Sequence, residues 1–310
     1  MILVGDLGGT HTRLALATPG SRALDRITRF ANCEHRDFAS VLDSYLGTET
    51  AIEAACIAVA GPTDGRRVQF TNLDWQIDAD RIAARFSIPS VRLINDFAAV
   101  GWSLNALVAA DLTVLQPGRP RDRAPRLALG AGTGLGVSLC VWQEGLYRPL
   151  PSEGGHIGFA PADAVQDRLL AFLRQRYGRV SVERMLCGAG IVELYAFCRS
   201  EAGLDPKHAL EPKGISEAAL AGTDAGAVAA LELFAVILGQ VAGDLALIAQ
   251  AEGGVYIAGG IAPQVLSILR GGGVLRGFHA KGRYRQWMSD VHVAVVTQPD
   301  VGLMGAAIAA

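Results

Sequence analysis

The sequence predicts an α/β protein that folds as two domains, and three observations carry this prediction. Half of the 310 residues are hydrophobic and 37 are glycine, a composition typical of α/β enzymes rather than of disordered or fibrous proteins. Short apolar runs alternate along the chain with segments of helical periodicity. A chain of this length can bury a sizeable core, and its length favours two domains.

A glycine-rich segment at residues 5–13 (Gly-Asp-Leu-Gly-Gly-Thr-His-Thr-Arg) lies between the apolar runs 2–4 and 14–17, which predicts strand, tight turn and strand. Such a turn offers donors to a bulky anion from Gly8, Gly9, Thr10, Thr12 and Arg13. Asp6 would repel a phosphate directly, but it is suited to hold Mg²⁺, or its water shell, beside one. An ordinary β-hairpin with a glycine-rich turn explains this segment equally well.

The same plan occurs a second time, about half a chain later. The apolar run 126–129 meets residues 130–136 (Gly-Ala-Gly-Thr-Gly-Leu-Gly), and the apolar run 137–141 follows. Main-chain groups of Gly130, Gly132, Thr133 and Gly134 can donate to a phosphate from the opposite side. The sequence contains no G-x-x-x-x-G-K-[ST] motif, and residues 130–136 do not fit G-x-G-x-x-G before a helix, so neither a P-loop nor a Rossmann site is expected.

The other predicted elements follow in chain order. In the first half they are strands at 55–60, 66–71 and 91–94, a helix at 78–86, and a surface connection at 116–125. In the second half Asp163 caps a helix that has apolar positions Val165, Leu169, Leu173 and Tyr177 and ends at Gly178, and Ser181 caps the next helix. The remaining elements are helices at 190–200, 224–250 and 302–310 and strands at 255–258 and 291–296.

The most apolar stretch, 225–251, predicts a buried helix rather than a membrane span. It contains Glu232, Gln240 and Asp244. Its large apolar residues step by three and four, as a buried helix requires; they are Leu231, Phe234, Leu238, Val241, Leu245 and Ile248.

Charge and cysteine usage exclude several classes of protein. The net charge of −2 and the lack of a Lys/Arg run do not indicate the basic surface that nucleic-acid binding requires. Five scattered cysteines and six histidines show no metal-ligand spacing, and reduced thiols indicate a cytoplasmic protein. An acidic residue already at position 6 interrupts the apolar region that a secretory signal peptide needs, so we expect no signal peptide.

Several acids could serve in a reaction. Asp96 directly follows a buried strand, where α/β sheets place ligands, and is the candidate general base, with Asn95 beside it to bind a substrate hydroxyl. Taken alone, Asp96 is better explained as the cap of a helix that starts at Phe97. Glu153 and His156 flank two glycines, and a flexible backbone there would let both side chains converge on one polyol; the alternative is a surface loop.

Together these segments resemble the bacterial glucokinase family, within the larger group of hexokinases, actin and heat-shock ATPases. The resemblance rests on residues 6–13, 94–97 (Ile-Asn-Asp-Phe), 130–136, 152–156 (Ser-Glu-Gly-Gly-His), 181–184 (Ser-Val-Glu-Arg) and 253–261 (Gly-Gly-Val-Tyr-Ile-Ala-Gly-Gly-Ile). These motifs occur in the family's order over nearly the whole chain. The cysteine-rich zinc motif of the related repressor and open-reading-frame kinases is missing, which places the chain in the branch without zinc.

The resemblance implies two ribonuclease-H-like (actin-like ATPase) domains flanking a cleft. Residues 1–105, with the C-terminal helix at about 298–310, would form the smaller domain, which holds the first phosphate loop and the catalytic Asp. Residues 106–297 would form the larger one. It also implies ATP-dependent phosphorylation of the 6-hydroxyl of D-glucose to glucose 6-phosphate, with Mg²⁺, in a cytoplasmic homodimer that binds neither nucleic acid nor membranes.

The resemblance assigns roles to residues. Residues 6–13 (phosphate loop 1) and 130–136 (phosphate loop 2) would bind the ATP phosphates from the two domains, with Asp6 positioning Mg²⁺ through water. Gly259 and Gly260 would lie under the adenosine. Asp96 would take the proton from the 6-hydroxyl. The other sugar hydroxyls would be bound by Asn95, by Glu153 and His156 of residues 152–156 (the sugar loop), and by Glu183, which otherwise is an ordinary acid of a first helical turn.

The sequence departs from the family pattern at four positions. His11 replaces a common asparagine, Gly158 a frequent aspartate, Ser152 a frequent glycine and Cys187 a frequent serine. His11 lies in phosphate loop 1, so the property it would alter is nucleotide affinity.

Three other functions are compatible with parts of the pattern. They are a kinase for fructose, mannose or an amino sugar, a non-catalytic sugar-sensing protein, and an actin-like polymerising ATPase. Glu153 and His156 count against the last of these. Polyphosphate or ADP could replace ATP, because phosphate loops do not identify the donor's base.

Overall fold

The computed structural model describes residues 1–19, 21–47, 51–61, 63–69, 75–150, 152–206 and 210–310. It divides into two compact units. Unit 1 comprises residues 1–108, 142–151 and 298–310, and unit 2 comprises residues 109–141 and 152–297. The sequence-based division into domains placed 142–151 in the larger domain, whereas contacts group this segment with unit 1. There the Asn105 side chain accepts a hydrogen bond from the Tyr147 amide at 2.7 Å and donates one to its carbonyl oxygen at 2.9 Å.

The strands of the described chain are β1 (Ile2–Leu7), β2 (His11–Ala17), β3 (Leu24–Ala31), β4 (Ala54–Val59), β5 (Arg67–Gln69), β6 (Gln76–Asp78), β7 (Val91–Asn95), β8 (Leu112–Gln116), β9 (Arg126–Ala131), β10 (Leu135–Gln143), β11 (Leu146–Leu150), β12 (Val255–Ala258) and β13 (Val293–Val296). The helices are α1 (Phe38–Leu46), α2 (Ala79–Phe86), α3 (Asp96–Ser103), α4 (Ala164–Tyr177), α5 (Gly188–Glu201), α6 (Pro212–Ala221), α7 (Ala225–Ala249), α8 (Ile261–Gln264), α9 (Leu266–Ile268), α10 (Val274–His279), α11 (Arg285–Asp290) and α12 (Val301–Ala309).

Unit 1 is built on a five-stranded sheet of order β3-β2-β1-β4-β7. Strand β1 pairs antiparallel with β2 and parallel with β4, which in turn is parallel to β7. Alternate residues of β1 enter two separate cores: Leu3 and Leu7 pack in the core that includes α1 and α2, and Ile2 and Val4 pack in the core that includes α3 and α12. The sheet is therefore covered on both faces, and the carboxyl ends of β1 and β7 lie at the same edge.

The larger sheet has six strands in the order β11-β10-β9-β12-β13-β8. Strands β9, β12 and β13 run parallel, while β10 and β8 are antiparallel to their neighbours β9 and β13. Helix α7 contributes many residues to the hydrophobic core of unit 2. Gly239 allows α7 to approach α10 closely, since a Cβ there would overlap the Val274 carbonyl group.

The prediction that α7 is a core helix is correct except at its C-terminal end. Five of the six predicted apolar positions are buried, but Ile248 is 78% exposed. Helix α7 is also the one described helix that is long and apolar enough to cross a membrane, and 61% of its most apolar window is buried inside the protein. The burial of α7 agrees with a core helix, which the sequence predicted from Glu232, Gln240 and Asp244 within this apolar stretch.

Several other predictions need correction. Helix α4 begins after Asp163, whose side chain accepts from the Gln166 amide, and ends at Gly178 as predicted, but Val165 is exposed. Ser181 precedes a three-residue 3₁₀ turn at 182–184 rather than an α-helix, and its side chain makes no capping hydrogen bond to any described residue. The predicted strand at 66–71 is β5, and residues 70 and 71 lie outside the described chain.

Two kinds of element were not predicted from the sequence. They are the edge strands β3, β8 and β11 with the short strand β6, and the helices α1, α6 and α8–α11. The edge strand β3 is largely exposed and mixed in polarity, so it gives no alternating signal. Residues 261–290 form short helices joined by a kink at Gly272, whose φ of 92° is outside the helical range.

The burial of α7 can be tested by comparing two alanine variants. Leu238→Ala should lower the free energy of unfolding by about 2–5 kcal/mol, because it leaves a cavity in the core of unit 2. Ile248→Ala should change it by less than about 0.5 kcal/mol, as expected for an exposed position. Urea unfolding followed by circular dichroism measures both, and equal losses for the two variants would contradict this orientation of the helix.

Candidate active site

Phosphate loop 1 is a tight turn between β1 and β2. The strands pair through Asp6 with Arg13 and Leu7 with Thr12, which leaves residues 8–10 as the turn. The Gly8 amide donates to the His11 carbonyl oxygen at 3.0 Å. A Cβ at Gly9 would meet no described atom within 4 Å, and Gly9 and Thr10 are exposed. Packing within the protein therefore does not explain the glycine at position 9, whereas close approach of a ligand would.

The shape of phosphate loop 1 is fixed by Asn32, which sequence reasoning missed. The fully buried Thr12 hydroxyl donates to Asn32 Oδ1 at 2.8 Å, and Asn32 Nδ2 donates to the Gly8 carbonyl oxygen at 2.9 Å. The prediction that the Thr12 hydroxyl donates to a phosphate is therefore wrong in this structure. Instead it holds the turn. Asn32 follows an edge strand that gave no sequence signal, so only the fold reveals its role.

Arg13 is held by the C-terminal segment of unit 1. Its guanidinium forms an ion pair with the Asp300 carboxylate and donates to the Pro299 carbonyl oxygen at 3.0 Å. Asp300 precedes α12, and its side chain makes no capping hydrogen bond to a described residue. Asp300 lies 287 residues from Arg13, so local sequence patterns do not reveal this pairing. The predicted contact of Arg13 with phosphate has to compete with this ion pair.

Asp6 lies at the end of β1, close to the start of α12. A Cβ at Gly302 would be 3.3 Å from Asp6 Oδ2, so a larger residue at 302 would crowd the carboxylate. Burial raises the pKa of Asp6 above its usual value, and the nearby Arg13 guanidinium partly offsets this rise. A carboxylate shielded from solvent is stabilised by a nearby cation, which is the property that a metal-positioning residue needs.

Asn95 and Asp96 lie at the junction of β7 and α3, and the residue that caps α3 is Asn95 rather than Asp96. Asn95 is the N-cap: its Oδ1 accepts from the amides of Phe97 at 2.9 Å and Ala98 at 3.1 Å. Asp96 is the first helical residue and also accepts from the Phe97 amide, at 2.8 Å. Because Asn95 caps the helix, the competing explanation of Asp96 as the cap is wrong. The positive end of the helix favours negative charge at Asp96.

Four predicted ligand-binding glycines of unit 2, two in phosphate loop 2 and two directly after β12, fall into two groups. Side chains at Gly130 or Gly259 would overlap the main chain of Ala258 or Ala131, and Gly259 has a φ of +85°, so both glycines are required by the fold. At Gly132 and Gly260 a Cβ would meet no described atom within 4 Å. Together with the exposed Thr133, they are the positions where the structure leaves room for a ligand.

The two glycines of the sugar loop serve close packing rather than flexibility. Residues 154–156 form a 3₁₀ turn. A Cβ at Gly155 would overlap the Leu135 carbonyl oxygen, and one at Gly154 would touch the Val137 side chain at 3.0 Å. The expectation that a flexible backbone brings Glu153 and His156 together is therefore wrong. The sugar loop is packed on the start of β10, next to phosphate loop 2.

Three predicted sugar-binding side chains of unit 2 converge. His156 Nε2 lies 4.0 Å from Glu153 Oε2, and His156 Nδ1 lies 3.9 Å from Glu183 Oε1. Glu183 reaches this position because residues 157–159 pair with 180–182, through Phe159 N to Val180 O at 3.0 Å and Val182 N to Ile157 O at 3.0 Å. Side-chain exposures of 60% for His156, 65% for Glu153 and 30% for Glu183 leave donors and acceptors accessible to a polyol.

The positions that depart from the family pattern have local roles. Ser152 Oγ accepts from the Gly154 amide at 3.1 Å, and Cys187 Sγ accepts from the Gly190 amide at 3.3 Å as the N-cap of α5. His11 Nδ1 contacts Thr10 Oγ1 at 3.0 Å. A Cβ at Gly158 would meet no described atom within 4 Å.

Comparison with known proteins identifies the family. A model of the glucokinase family matches residues 3–310. The chain belongs to the glucokinase family. It is 39% identical over 309 residues to the glucokinase of Hahella chejuensis, covering 98% of this chain and 95% of that protein. It is 37% identical over 305 residues to the glucokinase of Yersinia enterocolitica, covering 98% and 94%.

Solved glucokinase structures show the same fold. The glucokinase from an Antarctic psychrotroph superposes with a TM-score of 0.89 at 34% identity, covering 99% of this chain and 98% of that one. A glucokinase of the ROK family from Streptomyces griseus superposes with a TM-score of 0.69 at 21% identity, covering 99% of both chains. The predicted actin-like ATPase fold is therefore confirmed.

Within this glucokinase-family chain, the residues present suit a weakly held magnesium ion. No group of three or more His, Cys, Asp or Glu side chains that could enclose a metal occurs among the described residues. Mg²⁺ commonly keeps several waters and is held by one or two carboxylates together with substrate phosphates. The desolvated Asp6 carboxylate beside a phosphate-type turn fits that mode, and the other described acids form no alternative cluster.

The raised pKa of Asp6 predicts a pH-dependent effect of removing its charge. Because the folded protein favours protonated Asp6, the stability contributed by the neutral form is present below the usual carboxyl pKa of about 4 and is lost as pH rises through the raised folded value. Asp6→Asn should therefore melt at a higher temperature than the wild type at pH 7 in EDTA, and the difference should shrink towards pH 4.

Asp64→Asn supplies the matched control with the opposite sign. Amide hydrogen bonds from Arg66 and Arg67 lower the pKa of Asp64, so its carboxylate stabilises the fold above the usual pKa, and that stability is lost as pH falls through the folded value. Asp64→Asn should therefore lower the melting temperature at pH 7. An Asp6→Asn variant less stable than the wild type at pH 7 in EDTA would contradict the desolvation of Asp6.

Proposed function

We propose that the protein is a glucokinase that transfers the γ-phosphoryl group of ATP to the 6-hydroxyl of D-glucose. The observation that carries the proposal is the convergence of Glu153, His156 and Glu183 next to phosphate loop 2, in a chain of the glucokinase family. The glucokinase of Balamuthia mandrillaris has been solved with glucose, and the Streptomyces griseus enzyme with glucose and AMPPNP. These complexes support the choice of both substrates.

The sugar-binding groups come from Glu153, His156, Glu183 and Asn95. Carboxylates accept hydrogen bonds from hydroxyl groups, while the imidazole of His156 can donate or accept. A sugar that lacks or inverts one hydroxyl leaves a polar partner unpaired, which is the physical basis of selectivity among hexoses. In this proposal Asn95 contributes through the second hydrogen of its Nδ2 group, because its Oδ1 already caps α3 and Nδ2 already donates to the Gly61 carbonyl oxygen at 3.2 Å.

The phosphate-binding groups are the main-chain amides of the two loops. In phosphate loop 1 they come from Gly9 and Thr10, and in phosphate loop 2 from Thr133. The Gly8 and Gly132 amides already donate within their own loops, to the His11 carbonyl oxygen at 3.0 Å and the Gly134 carbonyl oxygen at 2.8 Å, so we assign these two glycines to the shape of the turns. Gly260 would lie under the adenosine, where a side chain would occupy the open space beside the chain. Gly130, Gly134 and Gly259 support these segments, since each avoids a contact within the protein.

Asp96 acts as the general base. As the 6-hydroxyl oxygen forms its bond to the γ-phosphorus, the bond from phosphorus to the β-phosphate oxygen breaks and ADP leaves. The hydroxyl proton passes to the Asp96 carboxylate, which the N-terminus of α3 stabilises in the charged form. Asp6 would hold Mg²⁺ through water, and the ion, when bound, would neutralise charge on the phosphates. We also propose a cytoplasmic homodimer, for which the support is the family alone.

A panel of phosphoryl donors and hexoses tests the proposed activity. Purified protein with Mg²⁺ should phosphorylate glucose with ATP, detected by coupling ADP release to NADH oxidation, and should turn over mannose, fructose and glucosamine with lower kcat/KM. ADP or polyphosphate should replace ATP poorly. Highest kcat/KM for another hexose would assign the protein to a different sugar kinase, and absence of turnover with every pair would refute the proposal.

Two variants should separate chemistry from sugar binding. Asp96→Asn should lower kcat by about 10²–10⁴-fold, the usual contribution of a general base, while calorimetry shows nearly unchanged glucose affinity. His156→Ala should instead weaken glucose binding by about 1–3 kcal/mol, roughly 5–150-fold. Glu201→Ala, which removes a surface ion pair with Arg168 in unit 2, is the control and should change neither quantity. Near-normal turnover of Asp96→Asn would mean that another group is the base.

A further inference from the structure

We infer that Glu183 is a positioning residue that couples sugar binding to the ordering of phosphate loop 2, and this inference rests on the proposed function. The two oxygens of the Glu183 carboxylate face different partners. Oε2 accepts a hydrogen bond from the Leu135 amide at 2.9 Å, in phosphate loop 2. Oε1 lies 3.9 Å from His156 Nδ1, on the side of the sugar loop. One side chain therefore connects both segments.

The contact with Leu135 depends on the glycine that precedes it. A Cβ at Gly134 would be 2.6 Å from Glu183 Oε2, so any side chain at 134 displaces the carboxylate from the Leu135 amide. Neither Gly134 nor Gly132 has a positive φ, and a Cβ at Gly132 would meet no described atom within 4 Å. Glycine is thus required at position 134 to leave room for the Glu183 carboxylate, while position 132 has no such constraint.

Two more contacts tie the same elements together. The Gly188 amide donates to the Gly132 carbonyl oxygen at 2.9 Å, so residues 183–188 hold phosphate loop 2 at two points. On its other side, Leu135 has its carbonyl oxygen against Gly155 of the sugar loop, where a Cβ would not fit. The amide and the carbonyl of Leu135 therefore both adjoin residues of the proposed sugar site.

This arrangement makes the two ligands cooperate. A sugar hydroxyl that donates to Glu183 Oε1 restricts the carboxylate, and the restricted carboxylate fixes the Leu135 amide and with it phosphate loop 2. A nucleotide that binds the loop afterwards loses less conformational entropy. By thermodynamic linkage the nucleotide must tighten sugar binding by the same factor.

Calorimetry on the full chain measures this factor directly. Glucose is titrated with and without saturating AMPPNP and Mg²⁺, and AMPPNP with and without glucose. In the wild type each ligand should tighten the other by about 5–150-fold, the usual range for coupled sites. In Gly134→Ala the coupling factor should fall to about one. Glucose affinity without nucleotide is measured in the same variant, because displacing the Glu183 carboxylate also disturbs a sugar contact, and the ratio of the two glucose affinities separates that loss from the loss of coupling.

Three variants act as controls. Gly132→Ala, in the same loop, should retain the coupling factor whatever it does to the affinity for AMPPNP. Glu183→Gln should also retain it, because its amide oxygen can accept from Leu135 while its NH2 group donates to a sugar oxygen instead of accepting from a hydroxyl, but it should weaken glucose because the charge is lost. Glu183→Ala should lose both the coupling and the glucose affinity, and it replaces Gly134→Ala if that variant fails to fold.

Each outcome decides the inference. If wild-type protein binds both ligands and neither affects the other, or if Gly134→Ala keeps the full coupling factor, the inference is overturned and the proposed function stands. If the wild type binds neither glucose nor AMPPNP, the proposed function fails and the inference fails with it. Opposite responses of Gly134→Ala and Glu183→Gln support it, since a purely structural role would give both variants the same response.

Discussion

Close contact between main-chain atoms, at positions where only glycine fits, is the constraint on which the site segments of unit 2 depend. Gly130 lies against Ala258, Gly259 against Ala131, and Gly155 against Leu135. Through these contacts phosphate loop 2 touches residues 258 and 259 on one side and the sugar loop on the other. Position is thus set by backbone packing, which is stiffer than side-chain packing because peptide units have few soft torsions.

In unit 1, hydrogen bonds of polar side chains rather than main-chain contacts hold the phosphate loop in position. Its phosphate loop is held from within by Thr12 and Asn32, and Arg13 is held by Asp300. Buried hydrogen bonds of this kind are costly to leave unmade, so the turn has one favoured shape before any ligand arrives. The buried charge of Asp6 is the destabilising element in this arrangement, and a bound cation would relieve it.

The sequence predicted the general fold and the segments of the site better than the contacts that individual side chains make. Glycine turns between apolar runs, and acids at strand ends, are local patterns, so loops 6–13 and 130–136 and Asp96 could be found without a structure. Asn32, Asp300 and the Leu135 contact of Glu183 could not, because each joins residues far apart in the chain. The sequence favoured Asp96 as the N-cap of α3, whereas the N-cap is Asn95, because both residue types suit this position.

The participation of α12 in unit 1 has a consequence for synthesis on the ribosome. Arg13 pairs with Asp300, Gly302 lies beside Asp6, and Arg92 donates to the Ala309 carbonyl oxygen at 3.0 Å. Strands β1–β7 of unit 1 are translated before unit 2, yet the core formed with α12 stays open until α12 has been translated. Unit 2 has all its residues earlier, so it can fold while unit 1 is still incomplete. Unit 1, whose strands β1–β7 are translated before unit 2, can therefore be completed only after it.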